Sequence, residues 1–238
     1  MHLSSWCTAT CMAPGAGETV VDGLAKAGIA ASAVDLPGRG ANKDRPICLS
    51  ESLKVIDEAI CALDGPVVLC GHSYGGVPIS WAAMRNDRIT EVVHLAAILP
   101  LEDEIMAGVV EATMERVGHR MRFEDGFSTV ASFQDSVDMM YGDCSPEDAR
   151  WAYDRLVPEP FNGMPEPGAA ATTVPCDHAK VTYVVCKADS SMDADLQRRI
   201  ATLARYVVEW PTGHSLPWLS QPQICIDLLA RIARAAVR

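Results

Sequence analysis

Positive charge is scarce in this chain of 238 residues: 20 Lys and Arg stand against 31 Asp and Glu, a formal net charge of −11. So acidic a chain is repelled by phosphate backbones and by anionic lipid, which argues against nucleic acid or a negatively charged membrane surface as partner. No apolar run approaches the roughly 20 residues needed to cross a bilayer. The opening "MHLSSWCTATCMAPGAG" lacks the basic and long apolar regions of a signal peptide. Cysteine itself is not rare, at nine residues, but the number is odd, no C-x-x-C pair occurs, and no Cys/His cluster has zinc spacing. Reduced thiols in the cytoplasm are the expected state. No metal, nucleotide or flavin motif is present either, since the glycines around residue 73 lack G-x-G-x-x-G spacing. No cofactor is expected.

Apolar residues make up 49% of the chain, enough for a sizeable core. The length suits one large α/β domain with an inserted cap better than two independent domains. Short apolar and β-branched runs predict strands near 6–12, 30–35, 67–71, 91–96, 181–186 and 206–210. Helical patterns fall between them near 18–27, 50–63, 73–86, 193–203 and 220–236. Ser50 is the expected N-cap of the second helix. Such alternation implies a mainly parallel, doubly wound sheet of about six strands with helices on both faces. Residues 101–176 interrupt it with helical patterns and a Pro/Gly/Ala-rich stretch, "VPEPFNGMPEPGAAATTVP". They are predicted to form a helical cap inserted after the fourth strand, with residues 1–100 and 177–238 as the core.

"LCGHSYGG" at 69–76 contains G-x-S-x-G directly after an apolar strand and before a helical run. That context is what a nucleophile elbow requires. The serine sits on a crowded turn, so the residues two positions away must be small, and its hydroxyl projects from the sheet edge. A hydroxyl needs a base. Of six histidines, His72 lies within the elbow, His94 lies in an apolar strand as a core or supporting residue, and His214 stands in "WPTGHSLPWL" after the last strand. That loop is on the carboxyl rim of the sheet, the same rim as Ser73, and His214 is the expected base. The base needs an acid to fix its tautomer. Asp189, after the fifth strand, is favoured. Asp193, which can instead cap the next helix, and Asp103, after the fourth strand, are the alternatives. The oxyanion hole needs two backbone N–H groups. Tyr74 supplies one as the residue after the serine, and Ala16, in the glycine-flanked loop after the first strand, is the best candidate for the other.

Together the stretches "GLAKAGIAASAVDLPGRG" (23–40), the elbow, "VVHLAAILP" (92–100), "YGDCSPEDARWAYDRLVPEPF" (141–161), "TYVVCKADSSMDADLQ" (182–197) and "TGHSLPWLSQP" (212–222) resemble α/β-hydrolase fold enzymes. The resemblance is to the branch of plant methylesterases, hydroxynitrile lyases and small bacterial esterases. The "C-x-x-D…Q" pattern and the cap segment are the more specific parts. Carried over by position, the resemblance implies the α/β-hydrolase fold and a triad at Ser73, Asp189 and His214. Two departures bear on the reaction. Pro14-Gly15 stands where the family usually has His-Gly. Gly15 and Ser215 stand where its hydroxynitrile lyases carry Thr and Lys, which favours ester hydrolysis over cyanohydrin cleavage.

The expected activity is hydrolysis of a small apolar ester, or related carbonyl substrate, through an acyl-enzyme. Gly15, Met106, Phe123, Phe127, Met139, Met140, Trp151 and Phe161 are the candidate pocket residues. A lactonase, thioesterase, or lyase or cyclase using the same triad is the alternative, and a hydrolase-like binding protein is the more remote one. A homodimer is among the assemblies the sequence allows.

Overall fold

The computed structural model describes residues 2–7, 15, 17–100, 103–160, 178–214 and 217–236. In chain order the first elements are β1 (His2–Cys7), α1 (Glu18–Lys26), β2 (Ala30–Val34), α2 (Leu49–Cys61), β3 (Val67–His72), α3 (Gly76–Arg85) and β4 (Ile89–Leu95). Next come α4 (Asp103–Val117), β5 (Met121–Glu124), β6 (Phe127–Val130), α5 (Phe133–Ser136), α6 (Pro146–Tyr153) and β7 (Glu159–Pro160). The last are β8 (Lys180–Cys186), α7 (Ala194–Ala201), β9 (Tyr206–Trp210), α8 (Pro217–Ser220) and α9 (Pro222–Ala236).

Six strands form one parallel sheet in the order β2-β1-β3-β4-β8-β9. The chain steps outward from β1 to β2, then returns past β1 to β3. The winding direction therefore reverses between β1 and β3, where open α/β sheets form a ligand crevice. Every residue of β3 is buried, as expected of a central strand covered on both faces. Its side chains alternate. Val68 and Cys70 pack with Val20 and Leu24 of α1 and Leu228 and Leu229 of α9. Val67 and Leu69 pack with Ile56 and Ile60 of α2 and Ile79 of α3. Each fully buried aliphatic side chain contributes about 1.5–3 kcal/mol, so these two layers carry much of the stability.

Three expectations need correction. The first strand runs over residues 2–7 rather than 6–12, and residues 8–12 lie outside the described residues. Its position is set by pairing on both sides, Cys7 with Val34 and with Gly71, which local propensity does not reveal. The second helix starts at Leu49 with Cys48 as N-cap, so Ser50 lies inside the first turn; Ser52 Oγ donates to the Cys48 carbonyl at 3.0 Å. The segment between β4 and β8 is not purely helical, for β5, β6 and β7 form a small antiparallel sheet. Asp125 and Gly126, at φ 50° and 80°, make the two-residue turn of its hairpin. Asp-Gly suits a turn with two positive φ values.

Candidate active site

Ser73 follows β3 with φ 49°, a left-handed conformation that costs a non-glycine residue about 1–3 kcal/mol. The surroundings enforce it. A Cβ on Gly71 would lie 2.7 Å from the Gly75 carbonyl oxygen, and one on Gly76 would lie 2.4 Å from that of Ile98. The Ser73 carbonyl accepts from Ile98 N–H at 2.9 Å, tying the elbow to the loop after β4. A single turn over residues 73–75 leads directly into α3.

His214 Nδ1 lies 2.7 Å from Asp189 Oδ2, and both side chains are buried. The carboxylate accepts the Nδ1 proton, which leaves Nε2 with the lone pair a general base needs. Asp189 is itself held on all sides. Oδ1 accepts from the N–H groups of Ser191 at 2.7 Å and Met192 at 2.8 Å, and Oδ2 accepts from Gln197 Nε2 at 2.9 Å. Gln197 is fully buried, and its Oε1 accepts from Cys186 N–H at 2.8 Å. The C-x-x-D…Q spacing thus has a physical reason: the glutamine joins the end of β8 to the aspartate. Asp193, by contrast, caps α7 by accepting from the N–H groups of Asp195 and Leu196. The side chain of Asp103 lies outside the described ones.

His72 connects the elbow to the histidine loop. Its Nε2 lies 2.8 Å from the His214 carbonyl, and the two rings are 4.7 Å apart. A carbonyl only accepts, so His72 carries its proton on Nε2. Burial holds its pKa well below the ordinary value, with the neighbouring His214 adding to the effect. His94 is buried as a neutral ring, its pKa lowered by burial to about 3, stacked on Tyr183 and 3.5 Å from Ser80 Oγ.

The segment between β4 and β8 reaches both loops. Ser191 Oγ donates to the Met139 carbonyl at 2.8 Å. Asp143 Oδ2 accepts from Gly213 N–H at 2.8 Å and from Ser220 Oγ at 2.9 Å, on either side of His214. A Cβ on Gly213 would lie 2.9 Å from Asp143 Oδ1, so a side chain there would push the carboxylate aside. Gln197 enters the sequence reading only as the last letter of the C-x-x-D…Q pattern, with no role attached, and Asp143 does not stand out, because its partners are distant in the chain.

A cavity of about 170 Å³ lies beside the elbow, lined by Tyr74 from the turn, Met114 from α4 and Met121 and Phe123 from β5. Arg39, from the loop after β2, and Glu159, from β7, form a buried ion pair in its wall. Burial raises the Tyr74 phenol to about 12, with the Glu159 charge adding to the effect, so it stays protonated at neutral pH.

Of the eight pocket candidates, Phe123 lines this cavity. Met139 and Met140 are instead buried with Val117, Tyr141, Ala149 and Ala152 in a core of their own segment. Trp151 packs between that core and the sheet's, with the Arg155 guanidinium over its ring at 4.4 Å. Phe127 is exposed on the hairpin and lines no part of the cavity. Gly15 occupies a turn at φ 82°, accepting from Glu18 N–H at 3.2 Å. Ala16 and Phe161, and the side chain of Met106, lie outside the described residues. Among the described residues no group of three or more His, Cys, Asp or Glu side chains is arranged to hold a metal ion.

The alpha/beta hydrolase family model matches residues 4–228, nearly the whole chain. The chain belongs to the alpha/beta hydrolase family. Its curated relatives include an alpha/beta hydrolase, nvfD, of Aspergillus novofumigatus, 26% identical and covering 92% of each chain. They also include Esterase PIR7B of Oryza sativa subsp. japonica, 26% identical over 90% of this chain and 89% of that one. Among solved structures, polyneuridine aldehyde esterase superposes with a TM-score of 0.85 at 22% identity, covering 98% of this chain and 99% of that one. For this alpha/beta hydrolase, the likeness to a solved structure at that identity speaks to the fold.

Proposed function

We propose that this hydrolase cleaves a small carboxylic ester through an acyl-enzyme on Ser73. The observation that carries the reading is the His214–Asp189 pair, fastened to the elbow through His72. His214 Nε2 takes the Ser73 proton as Oγ attacks the ester carbonyl carbon. The Tyr74 N–H, and in this reading the Ala16 N–H, stabilise the oxyanion. The tetrahedral intermediate collapses, the C–O bond to the alcohol breaks, and the alkoxide leaves with the proton from His214. Water then gives a proton to His214, attacks the acyl carbon and releases the acid, returning the proton to Ser73. In the same reading residues 101–176 are the cap over a core formed by 1–100 and 177–238. The esterase names among its relatives point to the same chemistry. The acidic chain suits a small molecule rather than a nucleic acid.

The test is release of p-nitrophenol from short and medium p-nitrophenyl esters by wild type, Ser73→Ala and Asp189→Asn. Turnover is expected in wild type and absent in Ser73→Ala. Asp189→Asn, which reverses the imidazole's preferred tautomer, is expected to lower kcat by about 10³–10⁴-fold. A fluorophosphonate probe should add covalently to Ser73, read by mass spectrometry of the peptide. Full turnover by Ser73→Ala would remove the serine from the mechanism. A wild type labelled on Ser73 yet inactive on every ester would move the reading to a lactonase, thioesterase, lyase or cyclase.

A further inference from the structure

One edge of the main sheet is built unlike the other. β2, at one end of the strand order, carries only Ala30, Ala31, Ser32, Ala33 and Val34. β9, at the other end, reads Tyr-Val-Val-Glu-Trp, and its Tyr206 and Val207 are 47% and 51% exposed. An edge strand presents unpaired N–H and C=O groups, which proteins guard with proline, bulges, charge or a covering element. β9 contains no proline, and its ladder with β8 runs without a register shift. No described helix is centred on it, since α9 packs on β3 and β4 and α7 on β8. The Trp210 carbonyl accepts from Lys187 N–H at 2.8 Å. Backbone groups alternate in direction along a strand, so those of Tyr206 and Val208 also face β8, while those of Val207 and Glu209 face outward.

The charges on this edge select a partner. Val208 and Trp210 pack with the α9 layer, so Arg205, Val207 and Glu209 lie on the α7 face, where Arg198 donates to both Glu209 oxygens at 2.8 and 3.1 Å. Arg205 and Glu209 stand two positions on either side of Val207 with opposite charge. That pattern is complementary to itself when two copies of the strand run antiparallel. Arg205 lies over the Tyr206 ring at 5.7 Å and makes no ion pair among the described residues. The groove beside β9 is lined by Lys180, Arg205 and Arg231 against one acid, Glu91, so this face is not acidic in a chain of net charge −11. Repulsion between copies is weak there.

We propose that β9 pairs antiparallel with β9 of a second copy about a two-fold axis at Val207, joining the two six-stranded sheets. Val207 then exchanges its outward N–H and C=O with the partner copy's Val207. Arg205 of each copy comes opposite Glu209 of the other, and Tyr206 comes opposite Val208, an aromatic and β-branched pair that stabilises a sheet. Glu209 keeps Arg198, since a carboxylate accepts more than two hydrogen bonds. The contact uses the same surface on both copies and closes on itself, so it stops at two. A parallel pairing, or one shifted in register, loses both charge pairs.

The test is the oligomeric state of the full chain, by sedimentation velocity over about 1 μM to 1 mM. Wild type is expected to form a reversible dimer. Val207→Lys sets two ammonium groups opposite each other on the axis and is expected to raise the dissociation constant at least about tenfold. Arg205→Glu and Glu209→Arg each bring like charges together, and each alone is expected to be monomeric where wild type is dimeric. Mixed, they restore both pairs and are expected to form a heterodimer. Val207→Cys, oxidised, is expected to give a disulfide between the two substituted positions, read by mass spectrometry, because directly paired antiparallel residues have Cα atoms about 5.5 Å apart. Circular dichroism establishes that each variant is folded. Glu209→Arg gives up its bond to Arg198, and should it not fold, Val207→Lys and Val207→Cys carry the test. A wild type monomeric throughout the range, a dimer unaffected by Val207→Lys, open-ended polymers in place of a dimer, or folded charge variants that do not pair on mixing overturns the proposal. None of these outcomes depends on Ser73, so a failure of the esterase reading is separate.

Discussion

At the scale of single residues, the site depends on how few ways each polar group has of being satisfied. Asp189 accepts from two backbone N–H groups, Gln197 and His214, which uses both of its oxygens. It can hardly rotate without losing a buried hydrogen bond. Gln197 is the quietest member of this set, and its replacement by Leu separates support from bulk packing. Gln197→Leu leaves Cys186 N–H without its acceptor and removes one donor from Asp189. The expected loss is about 1–3 kcal/mol in urea unfolding for each group left buried and unsatisfied. A fall in kcat larger than the change in KM should accompany it. An unchanged kcat in the folded variant would show that the other donors orient Asp189 unaided. The sequence marked Ser73, His214 and Asp189 as candidates because motif and rim position point to them. It left Asp193 as a rival, and the reason Asp193 is placed elsewhere is local: its oxygen is taken up by the first turn of α7.

At the scale of elements, the loops that carry the site are fastened to the segment between β4 and β8. Asp143 grips the histidine loop on both sides of His214, and Met139 receives the hydroxyl of Ser191 beside Asp189. Asp143→Ala is expected to lower kcat by about tenfold, since small misplacement of a positioned base is costly. Reactivity of Ser73 toward the fluorophosphonate should fall in parallel. A variant that only loses thermal stability, with kcat intact, would reduce Asp143 to a structural tie. The strands and helices of the main sheet were legible because their periods are strong. The β5–β6 hairpin had a readable signal too, Asp125-Gly126 between Phe123 and Phe127, but the surrounding helical patterns mask it. The pocket candidates fared differently. Buried Met side chains pack a core more often than they line a pocket, and Met139 and Met140 lie in a core of their own segment.

At the scale of the whole molecule, buried neutral histidines link stability to pH. An unfolded histidine titrates near 6.5, whereas buried His94 titrates near 3. Between those values the unfolded chain holds a proton that the folded chain does not. The stabilisation is therefore complete above the unfolded pKa and is lost as the pH falls toward the folded one. Between pH 7 and pH 5 this group alone costs the folded state about 2 kcal/mol. His72 acts in the same direction. Urea unfolding at the two pH values should show a smaller drop for His94→Gln than for wild type, by about that amount. Equal drops in both would mean that His94 is protonated, or hydrated, in the folded state.

The sequence by itself determined the alternation of strands and helices, and with it a parallel sheet covered on both faces. It also determined the strained serine, because a crowded strand-to-helix turn is a local matter of small residues at Gly71, Gly75 and Gly76. Only the tertiary structure decided which carboxylate meets His214, where Gln197 and Asp143 exert their hold, and that Arg39 and Glu159, distant in the chain, share one cavity wall. Periodicity and turn chemistry act between near neighbours and leave a trace in the order of residues. Hydrogen bonds and ion pairs between distant segments arise only when packing brings those segments together.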